Sequence, residues 1–210
     1  MTHRYERKYA FASFYFPQVK SMILTHPYGF KTHYPSRYVH NVYFDTLDLT
    51  HFWDNIDGHS LRQKVRLRHY TPEHFTQDTF KGNLEIKKKN AEVGTKEVIP
   101  IKEVFTKETL RTISDQFNWM NNYFPVLINQ YKRHYFLSLN GKYRVTLDEN
   151  LVYRSFNDVK NIKDTLNVLE IKYDIEKEAD LPDISHFLNI RSSKNSKYCR
   201  GIQMTNLKAR

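Results

Sequence analysis

Residues 60–70, which read SLRQKVRLRHY, carry a cation at every second position: Arg62, Lys64, Arg66 and Arg68. Side chains alternate between the two faces of a β-strand. This spacing therefore predicts a strand with four like charges on one face and a mainly apolar row on the other. Three of these cations are arginines, whose planar guanidinium groups can bind phosphate oxygens through two parallel hydrogen bonds. The stretch points to chemistry on a polyanion.

Five further predicted strands have a polar, charge-bearing face and, in most of them, a largely apolar one. Their polar sets are Arg4, Glu6 and Lys8; Glu85 and Lys87; Tyr131, Arg133 and Tyr135; Arg144, Thr146 and Asp148; and Glu170, Lys172 and Asp174. In any one strand, a sheet with one wet face explains the pattern. Taken together, however, the polar faces of the six strands carry ten cations and only five anions. A solvated face usually mixes the signs, because like charges across strands are destabilising, so the excess indicates a bound polyanion.

The composition is that of a basic globular chain of 210 residues, for which we predict a single domain over 1–210. Lysine and arginine number 33 against 23 acidic residues, a formal charge of +10. That charge favours nucleic acid, polyphosphate, a nucleotide or a membrane surface as partner. We find no transmembrane segment and no signal peptide. Cys199 is the only cysteine, which suits a reducing compartment, and we expect a cytoplasmic protein in which this side chain is buried.

The elements that must position these residues are predicted to be mainly strands, at residues 4–14, 38–44, 61–70, 83–89, 96–101, 126–139, 143–153 and 166–176. Helices are predicted at residues 16–25, 48–55, 102–120, 181–188 and 197–207. Asn140-Gly141 predicts a type I′ hairpin turn. About eight strands in hairpin order indicate an α+β fold: a closed antiparallel eight-stranded β-barrel with helices packed outside.

In such a barrel the helices need an apolar surface to cover. We therefore expect the apolar strand faces to point outward and the charged faces to line a wet tunnel. Carboxylates in a cationic bore would repel a polyanion unless some hold a divalent metal that bridges to phosphate oxygens. We find no GxxxxGK[ST] loop and no convincing nucleophile–base pair, and His33, His40 and His51 lack metal-ligand spacing.

Eight short motifs follow one another over nearly the whole chain. They are R-x-E-x-K (4–8), YFDT (43–46), KVRLR (64–68), LEIKKK (84–89), YKRHYF (131–136), RVTLDENL (144–151), LEIKY (169–173) and SKYCRG (196–201). In this order they resemble the VTC (vacuolar transporter chaperone) domain, the polyphosphate polymerase branch of the CYTH, or triphosphate tunnel metalloenzyme, superfamily. The resemblance implies an antiparallel β-barrel whose tunnel binds the triphosphate of ATP. It also implies transfer of the terminal phosphate to a polyphosphate chain, with Mn²⁺ or Mg²⁺ as cofactor.

The resemblance implies roles for individual residues as well. Catalytic residues would be Lys8, Arg66, Arg68, Lys87, Arg133, Arg144 and Glu170. Further substrate-binding residues would be Arg4, Arg62, Lys64, Lys96, Tyr131, Lys172, Lys194, Ser196 and Lys197. The metal would be held mainly by Glu170, with Glu6 or Glu85 helping.

Position 4 departs from the wider superfamily, many of whose triphosphatases open with E-x-E-x-K. Arg4 stands where the first Glu would be, which exchanges a metal ligand for a cation. The exchange resembles the polymerase branch, and it argues for one catalytic metal and for retention of a polyanionic product. We expect the protein to lack the phosphate-sensing and transmembrane appendages of larger family members. Membrane coupling would therefore require a membrane-protein partner.

Two other functions stay open. A hydrolase would release orthophosphate from a triphosphate in the same tunnel. A non-catalytic polyanion or nucleic-acid binder would use the cationic face alone. The 15 Tyr and 14 Phe could stack on a single strand, but most fall on apolar faces or helices, where core packing is their expected role. We therefore expect a triphosphate such as ATP and polyphosphate as partners, and no nucleic acid.

Overall fold

The computed structural model describes residues 4–73, 79–90, 93–174, 187 and 190–206, without the side chains of residues 4, 93 and 206. The chain divides into two compact units. Unit 1 comprises Met1–Arg37, Tyr131–Leu151 and Lys163–Asn195, and unit 2 comprises Tyr38–Gln130, Val152–Ile162 and Ser196–Arg210. That the chain is a single domain stays a prediction.

Strands make up most of the described chain. They are β1 (Arg4–Ala12), β2 (Lys31–Asp45), β3 (Leu61–Thr71), β4 (Thr79–Asn90), β5 (Val93–Thr106), β6 (Phe124–Leu137), β7 (Arg144–Ser155), β8 (Ile162–Lys163) and β9 (Leu166–Asp174). The helices are α1 (Phe16–Leu24), α2 (Thr50–Ile56) and α3 (Lys197–Asn206), with 3₁₀ segments at Ser13–Tyr15, Leu110–Gln116 and Asn118–Met120. None of the helices in the described ranges has the length and apolarity needed to span a membrane.

In unit 1, strand β1 pairs with β9, and β9 pairs with β7, both in antiparallel order. The odd-numbered side chains of these strands form a buried apolar face that includes Tyr9, Val145 and Leu169. Helix α1 covers this face with Val19 and Ile23, which are four residues apart and so share one side of the helix. The charged, even-numbered side chains of the three strands therefore lie on the face away from α1.

In unit 2, strands β2 to β5 form an antiparallel ladder. One face of the ladder buries Val42, Phe44, Val65, Leu67, Leu84 and Ile86. The 3₁₀ segments supply Leu110, Ile113 and Met120 to this cluster. Because successive side chains point to opposite faces, the cations of β3 and β4 lie on the other side of the ladder. In each unit, as predicted, helical segments cover an apolar strand face and the charged face lies opposite.

The predicted antiparallel, strand-rich fold with some helices is confirmed. The boundary between the units lies within β6, which therefore belongs to both. The strand order is β1-β9-β7-β6 in unit 1 and β6-β2-β3-β4-β5 in unit 2. Strand β8 pairs with β7. Strands β1 and β5 are terminal in these orders among the described residues. Closure into an eight-stranded barrel therefore stays a prediction.

The predicted helix over residues 102–120 is wrong. Strand β5 continues through this region to Thr106, and Phe105 pairs with Phe80 of β4. Thr106 and Thr109 then exchange hydrogen bonds that turn the chain into the first 3₁₀ segment. Leu110 and Ile113 are three residues apart, which places both side chains on one side of a 3₁₀ helix, where they are buried. Pairing with β4 thus overrides the local helical pattern.

Smaller differences concern turns and element ends. The first strand ends at Ala12, because Ser13 leaves the ladder and donates its backbone N–H to the carbonyl of Thr165. The type I′ turn is also wrong. Of its two residues only Gly141 has a positive φ, 71°, and Gly141 donates to Ser138 in a turn that begins one residue earlier. The predicted helix at 181–188 and the predicted ends at 176 and 207 lie outside the described residues, apart from residue 187.

Gly82 is expected to be essential for stability. It lies where the pairing of β4 with β5 shifts register, at a φ of +127°, and a Cβ there would be 2.0 Å from the Arg68 carbonyl oxygen. We expect Gly82→Ala to lower the free energy of unfolding by roughly 3 kcal/mol or more, measured by denaturant titration. Gly58→Ala is the control, because its φ is +75° but no atom lies within 4 Å. Equal losses in the two variants would contradict the steric argument.

Candidate functional site

Unit 1 carries a charge cluster formed by Glu6, Lys8, Glu170 and Lys172. Lys8 faces Glu170, and Glu6 faces Lys172, across the β1–β9 ladder. Lys8 Nζ lies 2.6 Å from Glu6 Oε1, and Lys172 Nζ lies 2.8 Å from Glu170 Oε1. Lys172 Nζ is also 4.0 Å from Glu6 Oε2. The register thus brings two carboxylates and two ammonium groups together on one face.

Glu170 is ionised in this cluster. Burial opposes ionisation, but the charges of Lys172, Lys8 and Arg133 outweigh it and hold the pKa of Glu170 well below its ordinary value. Arg133 is itself buried and binds Asp148 through two hydrogen bonds of 2.6 and 2.7 Å. This bidentate pair fixes the guanidinium group next to the cluster.

Two further predicted residues extend the unit 1 face. Arg144 lies opposite Lys172 in the β7–β9 ladder and is exposed. Tyr131 is buried, and its ring centre is 5.3 Å from the guanidinium carbon of Arg133. Facing residues share a side of the sheet, so Arg144 can reach an anion held at the cluster.

Unit 2 carries a second cluster, in which the carboxylate of Glu85 is surrounded by three cations. Arg66 Nε and Nη2 donate to Oε2 over 2.8 and 2.6 Å, and Lys96 Nζ donates to Oε1 over 2.6 Å. Arg68 Nη1 is 3.6 Å from Oε2. Burial raises the pKa of Glu85, but Arg66, Arg68 and Lys96 more than offset this effect and lower it to about 2. Glu85 therefore stays ionised and orients the cations.

This arrangement predicts an acid-dependent loss of stability. Because the pKa of Glu85 is lowered from 4.5 to about 2 on folding, ionised Glu85 should contribute roughly 3 kcal/mol. The contribution is complete above pH 4.5 and disappears as the pH falls through about 2. We expect Glu85→Gln to unfold at a lower temperature than the wild type at pH 7, and the two melting curves to converge near pH 2. A difference that does not change with pH would contradict this account.

Three lysines form a row across the charged face of unit 2. Lys64 on β3 faces Lys87 on β4, and Lys87 faces Lys96 on β5. Like charges directly across strands repel one another. Lys64 donates to Ser196 Oγ over 3.0 Å, and Lys96 binds Glu85. Lys87 is exposed between them. An anion bound over this lysine row would relieve the repulsion.

Helix α3 is fixed within unit 2 at its first turns. Ser196 Oγ accepts the backbone N–H of Cys199 over 3.3 Å and so caps the helix. The Tyr198 hydroxyl donates to the buried carboxylate of Asp45, and its ring stacks on Tyr43 with centroids 5.1 Å apart. Burial and Asp45 raise the pKa of Tyr198. These contacts hold Ser196 against Lys64.

Asn41 and Tyr43 belong to the unit 2 site but are not among the site residues predicted from the sequence. Asn41 Oδ1 accepts a 2.7 Å hydrogen bond from Arg68 Nε. The Tyr43 hydroxyl lies 3.4 Å from Arg66 Nη1, with the Arg66 guanidinium carbon 6.0 Å from the ring centre. The YFDT motif contained part of the signal, because the period of two places Tyr43 on one face with Asp45 and with Asn41, which lies two residues before the motif.

The predicted site residues divide between the two units. Unit 1 contains Arg4, Glu6, Lys8, Tyr131, Arg133, Arg144, Glu170, Lys172 and Lys194, and unit 2 contains Arg62, Lys64, Arg66, Arg68, Glu85, Lys87, Lys96, Ser196 and Lys197. Only the backbone of Arg4 is described, opposite Asp174. Arg62 Nη1 donates to the carbonyl of His59, and Lys194 is exposed. The roles of all these residues stay predictions.

The three predicted metal ligands differ in how well their carboxylates are placed to coordinate a divalent metal ion. Mg²⁺ in phosphate sites is commonly held by one or two carboxylates together with water and phosphate oxygens. Glu6 and Glu170 fit this pattern better than Glu85, because they place two carboxylates on one face, each with its short lysine contact at Oε1. Glu85 fits poorly, since both of its oxygens are already bound by cations. No group of three or more His, Cys, Asp or Glu suited to a metal occurs in the described parts of the chain.

Comparison with known proteins identifies a sequence family and, separately, a shared fold. The VTC domain family matches residues 3–206. Among solved structures, a candidate adenylate cyclase from Vibrio parahaemolyticus superposes with a TM-score of 0.52 at 15% identity, over 93% of this chain and 95% of that one. A candidate adenylyl cyclase from Hippeastrum, whose structure is reported with a dominant triphosphatase activity, gives 0.53 at 13% identity over 97% of each chain.

A Pyrococcus horikoshii protein gives a TM-score of 0.54 at 13% identity, over 98% of this chain and 99% of that one. No curated protein matches the sequence. At these identities the solved structures establish the fold alone. The family match covers nearly every residue, including all of the charged clusters described above, and the chain therefore belongs to the VTC domain family.

Proposed function

We propose that this protein is a metal-dependent phosphotransferase of the polyphosphate polymerase type. It binds the triphosphate of ATP on the charged strand faces and transfers the terminal phosphate to a polyphosphate chain. The observation that carries the proposal is the lysine row of Lys64, Lys87 and Lys96 beside a carboxylate that aligns two arginines. The family match supports it. The closed tunnel predicted from the alternating faces is part of the same proposal.

Phosphoryl transfer needs neutralised charge and fixed positions more than covalent help from the protein. Glu85 holds Arg66 and Lys96 in place, and Asn41 holds Arg68, so little reorganisation is needed when phosphate oxygens arrive. In unit 1, Lys8 and Lys172 neutralise the carboxylates of Glu6 and Glu170 until an anion competes for them. When bound, Mn²⁺ or Mg²⁺ would supply further positive charge, with Glu170 as its main ligand and Glu6 as the second.

A triphosphatase is the second candidate. This chain shares its fold with the Hippeastrum protein, which is reported with a dominant triphosphatase activity, and that likeness favours this alternative. Hydrolysis would use the same cations but would need water in place of a polyphosphate acceptor. Arg4 weighs against it, since that position carries a cation where many superfamily triphosphatases carry a carboxylate.

Incubation of the purified protein with ATP and Mn²⁺ tests the proposal directly. Long-chain polyphosphate together with ADP would support the polymerase. Orthophosphate without polymer would support the triphosphatase and contradict the polymerase. Neither product, together with salt-sensitive binding of oligonucleotides, would identify a non-catalytic polyanion binder.

The cellular setting forms part of the proposal. Cys199 is buried as a free thiol, and a chain whose one cysteine is reduced suits the cytoplasm. We propose a membrane-protein partner for the coupling of polyphosphate synthesis to a membrane. Recovery of a membrane protein after crosslinking in cells would test this, with the partner identified by mass spectrometry.

A further inference from the structure

Unit 1 contains a cluster of planar side chains to which the phosphate chemistry assigns no role. The guanidinium carbon of Arg37 lies 5.0 Å from the centre of the Tyr135 ring and 6.0 Å from that of the Tyr34 ring. The two rings meet edge to face, with centroids 5.9 Å apart and an interplanar angle of 83°. We call Tyr34, Arg37 and Tyr135 the aromatic platform.

The exposure of the platform distinguishes it from core packing. Tyr34 keeps 51% of its surface accessible although its ring contacts Tyr135 and the neighbouring His33. Single exposed aromatic residues are common and need no explanation. Here, however, the exposed Tyr34 ring belongs to a group of side chains that pack around the Arg37 guanidinium group. Tyrosine rings and arginine planes are the side chains on which proteins stack nucleobases.

The position of the platform connects it to the charge cluster of unit 1. Tyr135 is two residues beyond Arg133 on the same face of β6, which is about 7 Å along a strand. Arg133 is the buried guanidinium group whose charge acts on Glu170. A ligand that reached from the cluster along this face of β6 would therefore meet the platform next.

We propose that the aromatic platform stacks the base of a nucleoside triphosphate whose phosphates contact the charge cluster of unit 1. The inference rests on the proposed function and adds to it a subsite for the base. An inorganic phosphate chain has no planar face, so it gains nothing from the platform. The platform therefore selects a nucleotide over inorganic triphosphate or polyphosphate as the phosphate donor.

Calorimetric titration of the full chain with ATP and with inorganic tripolyphosphate, both without divalent metal, tests this inference. We expect Tyr34→Ala to weaken ATP binding about tenfold, as the loss of one stacked base would, and to change tripolyphosphate binding less than twofold. Tyr34→Phe keeps the ring and should bind ATP as the wild type does. Because Tyr34 is half exposed, the variants should fold, and their melting temperatures check this.

Four results would overturn the platform. Unchanged ATP affinity in Tyr34→Ala would exclude stacking on this ring, and equal loss of both ligands would make Tyr34 a phosphate-site residue. A wild-type protein that binds tripolyphosphate as tightly as ATP would show that no base is recognised. Equal affinity for the two ligands would leave the proposed phosphate site intact and would reject only the platform. A wild type that binds neither ligand would overturn the proposed function and the platform together.

Discussion

Glu170→Gln is expected to abolish metal-dependent turnover of ATP while leaving ATP binding intact. The substitution removes the charge that would attract Mn²⁺ or Mg²⁺, a contribution of several kcal/mol to phosphoryl transfer, so the rate should fall at least about 100-fold. The cations stay in place, and Lys172 no longer has the Glu170 carboxylate 2.8 Å from its Nζ. ATP affinity without metal should therefore be retained or increased. Release of ADP measures the rate, and calorimetry measures the affinity.

Glu149→Gln provides a matched control for this prediction. Glu149 lies in β7, also in unit 1, but its carboxylate bonds His134 over 2.7 Å and belongs to the odd-numbered face. The control variant should keep the wild-type rate. Wild-type turnover in Glu170→Gln would remove Glu170 from the metal site. Loss of ATP binding in the same variant would instead mean that Glu170 organises the cations.

Lys87→Ala is expected to produce the largest loss of ATP affinity among single lysine substitutions in unit 2. Lys87 is the middle member of the lysine row and is exposed between Lys64 and Lys96, so its ammonium group can reach a bound phosphate. Hydrogen bonds to charged groups contribute about 1.5–3 kcal/mol, which corresponds to a loss of roughly 10- to 100-fold. Calorimetry without divalent metal measures the change.

Lys88→Ala tests whether the face of the strand matters. Lys88 is the next residue in β4, is exposed, and faces Gln63 on the opposite side of the ladder. The two variants have the same net charge, so a long-range electrostatic effect would weaken ATP binding similarly in both. We expect the affinity of Lys88→Ala to stay within twofold of the wild type. Equal losses would show that the charged face is not the binding surface.

The faces of the strands could be predicted from the sequence with few errors. The period of two separates Lys87 from Ile86, and Glu170 from Ile171, whatever the strands pair with. The same periodicity predicted that apolar rows would lie under helical segments, and Val19 and Ile23 of α1 cover such a row in unit 1. The order of the eight motifs also identified the family, which the match over residues 3–206 confirms.

Local patterns failed where long-range pairing decided the conformation. Residues 102–106 have the composition of a helix start, but hydrogen bonds from β4 continue the strand to Thr106. No local signal marks Gly82 as the position where β4 approaches the Arg68 carbonyl, because that contact depends on the neighbouring strand. Strand propensity is weak compared with pairing and burial.

By itself, the sequence determined which side chains share a face and which family the chain belongs to, because both depend on local spacing and on the order of motifs. Only the tertiary structure decided which charges meet. Glu85 could have been a metal ligand from its spacing alone, but the register of β3, β4 and β5 surrounds it with Arg66, Arg68 and Lys96. Register is set by the packing of whole strands, and a shift of one residue would move every one of these charges to the opposite face.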